Sequence, residues 1–302
     1  MSVFVKQTAT LCAFTSSDSW VILSPIEQSI KRKIEAVGTP LRDWNIQINY
    51  GIKTGCNEAF IIDDAKRSEI LANCRDAAER KRTEQIIRPI LRGRDIKRYG
   101  YDWAGLYLIA THNGIPEKGI KRVDIETYPS IKRHLDAHWG KISSRSDKGD
   151  TPYNLRSCAY MDEFNKPKIV WMDLSDVPTF AYDDNAQFAN NTVYFLSGRA
   201  NLLYLLGYLN SKIATYLFSQ IGSTSGVGTT RWQAFTMERL FVPHVTSEKQ
   251  AQLASLVEQV LTAKKADPST DTSSIERAID RFVYRLYGLT SDETTVVEGK
   301  LY

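Results

Sequence analysis

The feature that most restricts the fold of this chain is a switch in hydrophobic period close to residue 200. Upstream, short runs rich in β-branched and aromatic residues recur between turn-forming stretches: "NIQINYG", "RPILRGRDIKRY", "GLYLIAT", "KPKIVWMDLS", "TFAYDD" and "NTVYFLSG". Such runs, alternating in part, read as strands with one side turned to a core. Downstream, Leu202, Leu205, Leu206, Leu209, Ile213 and Leu217 follow helical spacing, as do Leu253, Leu256, Val257, Val260 and Leu261. The pattern predicts an α+β fold, a mixed and mostly antiparallel sheet with long loops followed by a helical C-terminal segment. The expected division is a helical leading segment over residues 1–40, a sheet domain over 41–245 and helices over 246–302.

Local signals place the element ends. Ser24, Pro25 and Glu27 form a capping box before Ile26, Ile30 and Ile34, and Gly38 stops that helix. A glycine turn and a short strand are expected in "GIKTGCNEAFIID", one polar helix across Lys66–Gln85, and a short helix across Tyr128–Trp139. "GKISSRSDKGDTPYN" is too rich in Gly, Ser, Asp and Lys for regular structure and predicts a long exposed loop. Ser247 with Gln250 and Ser273 with Glu276 read as capping boxes of two later helices, joined by the linker "KKADPSTDTSS", and Gly288 is placed to end the second.

Most enzyme signatures are absent from the sequence. It contains no GxxxxGK[ST], GxSxG, HExxH or DxDxDG. In "GSTSGVGTTR", Gly226 and Gly228 lack the third glycine of a dinucleotide loop and follow a helix, where that motif follows a strand. His134 and His138 would share one helix face, as a zinc pair does, but no third ligand stands at a matching distance. None of His112, His134, His138 and His244 has a neighbourhood that argues for activating a nucleophile. Cys12, Cys56, Cys74 and Cys158 form no CxxC pair and are expected to be reduced thiols, and "NNT" at Asn190 would accept a glycan only in a secreted protein. No apolar run approaches the roughly 20 residues of a membrane span. "MSVFVKQTATLCAF" has no signal-peptide pattern, so the expected location is the cytoplasm, away from membranes.

What remains is a distribution of cations. Net charge is only +4, but Arg75–Arg98 and Lys118–Lys148 are basic while Asp162–Asp184 is acidic. Arginine presents a planar fork that fits phosphate oxygens or the acceptor edge of guanine, and glycine lets backbone N–H groups approach phosphate. Arg92, Arg94, Lys97 and Arg98 fit this chemistry, as do Arg145, Lys148 and Arg156, and Arg231 with Trp232. For any one of these cations, a surface salt bridge is the plainer assignment. Two other classes stay open on the residues alone: a protein-interaction module of a phage-defence assembly, and a nuclease drawing carboxylates from Asp162–Asp184.

Read in order, "PLRDWNIQINYGIKTGCNEAFIID", "IIRPILRGRDIKRYGYDW", "YPSIKRHLDAHW", "SDKGDTPYNLRSCAYMDEFNKPKIVWMD" and "LLGYLNSKIATYLFSQIG" resemble the TaqI-like C-terminal specificity domain. That domain is the target-recognition part of adenine-specific DNA methyltransferases and Type IIG restriction-modification enzymes. The resemblance runs from about Leu41 to Pro243, and "IERAIDRFVYRLYGLTSDE" is similar to the closing segment of the same proteins. It implies sequence-specific binding of double-stranded DNA beside a methyltransferase domain or subunit. In the family, S-adenosylmethionine and an [ND]PP[YF] motif belong to that catalytic part. Neither NPPY nor DPPY occurs here, so no catalytic residue, metal or cofactor is expected in this chain. The resemblance further implies Arg92, Arg94 and Lys97 near phosphate, and the loops Ser144–Arg156 and Gly222–Trp232 near DNA.

Overall fold

The computed structural model describes residues 23–221, 223–224 and 230–299. Cys12, Gly226 and Gly228 lie outside the described residues. The chain folds as two compact units that interleave along the sequence: Asn45–Leu202 with Ser223–Ala234, and Met1–Trp44 with Leu203–Gly222 and Phe235–Tyr302. This division differs from one running along the sequence at residues 40 and 245, because the leading helix and the helices after residue 202 share one core.

The sheet unit is built on two four-stranded sheets. In the first, Phe180–Asp183, Lys168–Met172, Val193–Gly198 and Ile46–Tyr50 lie side by side, every pair antiparallel. The second runs Phe188–Ala189, Ile87–Leu91, Leu106–Ile109 and Ile61–Asp63, with only its first pair parallel. Together with shorter ladders this is the expected mixed α+β arrangement. Val170, Ala181 and Phe195 project from one face of the first sheet into a core that also holds Phe60, Ile90, Leu108, Leu135 and Phe164. Phe164 stacks on Phe188 at 4.7 Å and meets Phe195 at 4.8 Å, so aromatic contacts cross between the sheets.

A buried ion pair fixes the edge of that core. Lys168 and Asp183 are both fully buried, with Nζ 2.5 Å from Oδ2. Lys168 also donates to the Phe164 carbonyl, while Asp183 accepts from Tyr101 Oη and the N–H groups of Asn185 and Gln187. Desolvation lowers the lysine pKa and Asp183 counters it. Multiple partners are what a buried pair requires.

Several boundaries differ from the sequence expectation for local reasons. The polar stretch after residue 63 forms two helices, Asp64–Ala72 and Ala77–Ile86, because the Asp76 side chain caps a fresh start by accepting from Glu79 N–H. The helical region after residue 201 also divides, into Leu202–Leu209 and Lys212–Ile221. There Ser211 Oγ donates to the Tyr208 carbonyl, and Asp280 accepts from Lys212 N–H across the fold. Part of the expected strand near residue 57 is instead the short helix Asn57–Phe60. Thr246 and Thr272, one residue earlier than expected, precede the two later helices, whereas Ser24 and Gly288 end theirs as expected.

The helical unit packs Pro25–Val37, Leu202–Leu209, Lys212–Ile221, Ser247–Ala266, Ser273–Tyr287 and Ser291–Gly299 around a short ladder of Gly38–Pro40 with Phe241–Pro243. Gly207 permits close contact with the long helix: a Cβ there would stand 2.8 Å from Val257 Cγ2. Tyr204, Tyr208 and Tyr287 are buried and hydrogen-bond the carbonyls of Pro243 and Phe241, which ties the ladder to the helices.

Candidate nucleic-acid interface

Within the sheet unit, several loops converge on one end of the first sheet, where Ile46–Tyr50 and Lys168–Met172 finish and Val193–Gly198 begins. Asn190 and Thr192 hold them. The Asn190 carboxamide oxygen accepts from Thr192 N–H and Oγ1, and Thr192 Oγ1 accepts from Gly93 N–H at 2.9 Å. Asn190 N–H donates to the Leu91 carbonyl, Ile52 N–H to Ala189, and Asp173 N–H to the Thr192 carbonyl. Gly93 is required here, since a Cβ would lie 2.7 Å from Met172 Cγ. Asn190 is buried and "NNT" is therefore a structural knot, a role its sequence did not disclose.

The Arg92–Arg98 stretch divides by function. Arg92 closes a fork on Asp95, with Nε 3.1 and 3.2 Å from the two oxygens and a terminal nitrogen at 2.7 Å. Asp95 is buried and also accepts Arg92 N–H, so this arginine shapes the turn Gly93–Asp95. The hydrogen bonds to Asp95 raise its pKa against the opposing effect of burial. Arg94 and Lys97 are exposed, and Lys97 Nζ meets only the Arg94 carbonyl at 3.3 Å among the hydrogen bonds found for it. Arg98 is half-buried with its guanidinium 5.2 Å from the Tyr99 ring centre.

The second basic loop repeats the division. Arg145 is only 6% exposed, and its guanidinium donates to the carbonyls of Thr54, Asp147, Pro152 and Asn154 while lying over the Phe60 ring. Burial lowers its pKa. Expected near DNA, Arg145 is instead the strut around which the loop is wound. Its neighbours are exposed. Lys148 Nζ donates to the Ser143 carbonyl, and Arg156 stands 3.6 Å from Asp147, which also pairs with Lys53 at 3.0 Å. Lys53 joins this end of the sheet without having been singled out; its place in the glycine turn "GIKTG" was the available signal.

The third segment shows the same split between neighbouring residues. Trp232 is 4% exposed, donates Nε1–H to the Ser175 carbonyl, and offers its own carbonyl to Trp171 Nε1 at 2.7 Å. It anchors the strand Thr230–Arg231 and is unavailable to a base or phosphate. Arg231 is exposed, 3.6 Å from Asp173. Burial raises the Asp173 carboxyl pKa, more than Arg231 lowers it.

Phe180, Trp171, Tyr194 and Tyr50 are successive cross-strand partners, so their rings form a row on one face of the sheet. Trp171 stacks on Tyr194 at 5.9 Å, and Tyr50 ends the row 43% exposed. From the sequence these are strand residues only; their alignment depends on register, which one sequence does not display.

Other candidate chemistry is taken up internally. His134 Nε2 lies 2.9 Å from the Ala59 carbonyl, and burial lowers its pKa. Among the described residues no group of three His, Cys, Asp or Glu is arranged to hold a metal. Cys158 is buried and its thiol is pushed up to about 11, far from a reactive thiolate. No described helix is long and apolar enough to cross a membrane.

Residues 88–242, about half of the 302 in the chain, match the TaqI-like C-terminal specificity domain. The chain is 22% identical over 285 residues to the Type II methyltransferase M.XhoI of Xanthomonas vasicola, covering 93% of this chain and 47% of that protein. It is 22% identical over 289 residues to the Type II methyltransferase M.PaeR7I of Pseudomonas aeruginosa, covering 94% and 45%. It thus spans a little under half the length of these curated relatives. Its fold matches the Type IIL restriction-modification enzyme MmeI, solved in complex with DNA, at a TM-score of 0.63 and 11% identity, over 87% of this chain and 36% of that one.

Proposed function

Because the chain belongs to the TaqI-like C-terminal specificity domain family, we propose that it recognises a short sequence in duplex DNA and positions an adenine-specific methyltransferase, with any fused nuclease, at that sequence. Catalysis and S-adenosylmethionine binding belong to the partner domain or subunit. This chain supplies contacts. The observation that carries the reading is the gathering of exposed cations, Lys53, Arg94, Lys97, Arg156 and Arg231, on loops fastened to one end of one sheet.

Two kinds of contact are expected from these side chains. Exposed cations on phosphates contribute affinity and orientation, and a few forked or planar groups read base edges. Arg231 is the best placed reader, since Asp173 beside it can hold the guanidinium plane while its other N–H groups remain for guanine. Helping to hold the duplex while an adenine is extruded would follow, because unstacking costs a few kcal/mol that protein contacts offset.

Fluorescence anisotropy with labelled duplexes over a salt series tests this. Neutralising about five phosphates gives a log-log slope near −4 or −5. An affinity that does not change between low and physiological salt would reject the proposal.

A further inference from the structure

A second cationic feature lies within the sheet unit. A cavity of about 280 Å³ is lined in part by Arg82, Arg88, His112, Asn165 and Phe188. Arg88 sits near the start of the strand Ile87–Leu91. Arg94 lies beyond that strand's far end, so at about 3.3 Å per residue the two positions are separated by up to roughly 20 Å. The cavity thus lies at the other end of that strand from Arg94, and Asn154 of the second basic loop donates to the carbonyls of its lining residues His112 and Val123.

Its electrostatics are unbalanced. Arg88 is held in place by the Phe188 ring, 5.0 Å from its guanidinium carbon, and by one hydrogen bond of 2.7 Å to Asn165 Oδ1. Arg82 reaches the Thr127 carbonyl at 3.4 Å, and its Nε is buried with no hydrogen-bond partner. Neither guanidinium has a carboxylate partner among the described residues, and no carboxylate lines the cavity. By contrast, Arg80 on the helix Ala77–Ile86 pairs with Glu84, and Arg75 just before that helix pairs with Glu79. Leaving a buried guanidinium N–H unpaired is costly, and two guanidinium groups without counter-ions suit a phosphate.

His112 adds a neutral donor. Its Nδ1 accepts from Gly114 N–H at 3.2 Å, and burial lowers its pKa, so the remaining ring proton is on Nε2. His112 and Asn165 also border an adjoining recess of about 160 Å³, whose mostly apolar wall holds Ile115, Ile120 and Met161 and includes Asp162, which is paired with Lys118. A cationic chamber joined to an apolar one is a shape for a molecule with a charged end and a flat body. Recessed volume of this size accepts the end of a small ligand more readily than a continuous DNA backbone.

We propose that this cavity binds a nucleoside monophosphate, with the phosphate on Arg82 and Arg88 and the base against Ile115, Ile120 and Met161. The inference goes beyond DNA recognition and does not depend on it. The binding is recognition alone, with no bond made or broken.

Isothermal titration of the whole chain with adenosine monophosphate, and separately with inorganic phosphate, tests the proposal. Saturable binding of both is expected, with the nucleotide tighter, and Arg82→Gln and Arg88→Gln should each raise its Kd about tenfold or more. Ile120→Asp should weaken the nucleotide and leave inorganic phosphate unchanged. Arg82→Lys keeps the charge and should recover most of the affinity, which a merely structural arginine would not reproduce. Absence of saturable heat with either probe, or unchanged binding in the Arg82→Gln/Arg88→Gln double variant, overturns the proposal. So does a double variant that loses duplex affinity while the parent never binds the nucleotide, because the phosphate would then be the DNA's own.

Discussion

The turn at Arg92–Arg98 and the loop at Ser143–Arg156 differ in composition but share one internal division of labour. In each, one arginine is withdrawn from solvent to build the backbone, and its neighbours are left exposed. Arg92 does so through a carboxylate, Asp95, and Arg145 through four carbonyl oxygens. Five N–H donors in a rigid plane make arginine equally apt for organising a loop and for gripping a phosphate. Which task a given arginine performs is decided by the acceptors its own loop provides.

The largest expected effect tests the withdrawn side of that comparison. Arg145→Ala leaves the carbonyls around it without a donor, and should cost about 3–5 kcal/mol of stability. Thermal or urea denaturation would show it, and a melting midpoint equal to that of the parent would mean the loop holds itself. Arg92→Gln removes a fork that rests on a single carboxylate and should cost about 1–2 kcal/mol by the same measurement.

The exposed side should behave in the opposite way. Arg94→Gln and Arg231→Gln are each expected to weaken duplex binding about tenfold, close to 1.4 kcal/mol, and to reduce the salt slope by about one, with melting unchanged. Arg231→Gln should also relax discrimination at one base pair if the residue reads guanine. A fall in melting temperature without a change in affinity would move these arginines to the structural group. Arg156→Gln breaks only an exposed pair with Asp147, so its stability effect should stay within about 0.5 kcal/mol.

Acid offers a milder comparison between the two units, since each has one carboxylate held at about 2. Burial would raise Glu79, but N–H donors from Arg75 and Ser130, with the Arg75 guanidinium, outweigh it. Burial would likewise raise Glu293, and Lys33, the Thr290 N–H and Ser29 reverse the effect. Both folded values lie below the ordinary carboxylate range near 4.3. The stability they contribute is therefore fully present above that range and is lost as pH falls toward 2. Melting temperatures between pH 5 and pH 2.5 should drop in the parent, and drop less in Glu79→Gln and Glu293→Gln.

Much of this fold was readable from local pattern. Periodicity separated strands from helices, and Ser24, Glu27 and Gly288 marked helix ends because capping is decided within a few residues. What could not be read depends on partners distant in the chain. Asp280 capping the helix at Lys212, and Thr192 accepting from Gly93, are separated from their partners by 68 and 99 residues. The same limit applied to the cations. Composition identified the basic segments, but Arg94 and Arg92 are two residues apart and differ only in whether Asp95 lies within reach. The aromatic row of Phe180, Trp171, Tyr194 and Tyr50 was hidden similarly, since each ring comes from a different strand.

Ser29 and Lys33, on the leading helix, bond to Glu293, 264 and 260 residues further along. At a synthesis rate of about 5–20 residues per second, that helix waits roughly 10–50 s on the ribosome before its counterpart exists. Throughout that interval Ile30 and Ile34, enclosed in the finished protein, belong to a unit whose later segments, Leu203–Gly222 and Phe235–Tyr302, are still being made. The nascent chain must either shield them provisionally or be accompanied by something that does.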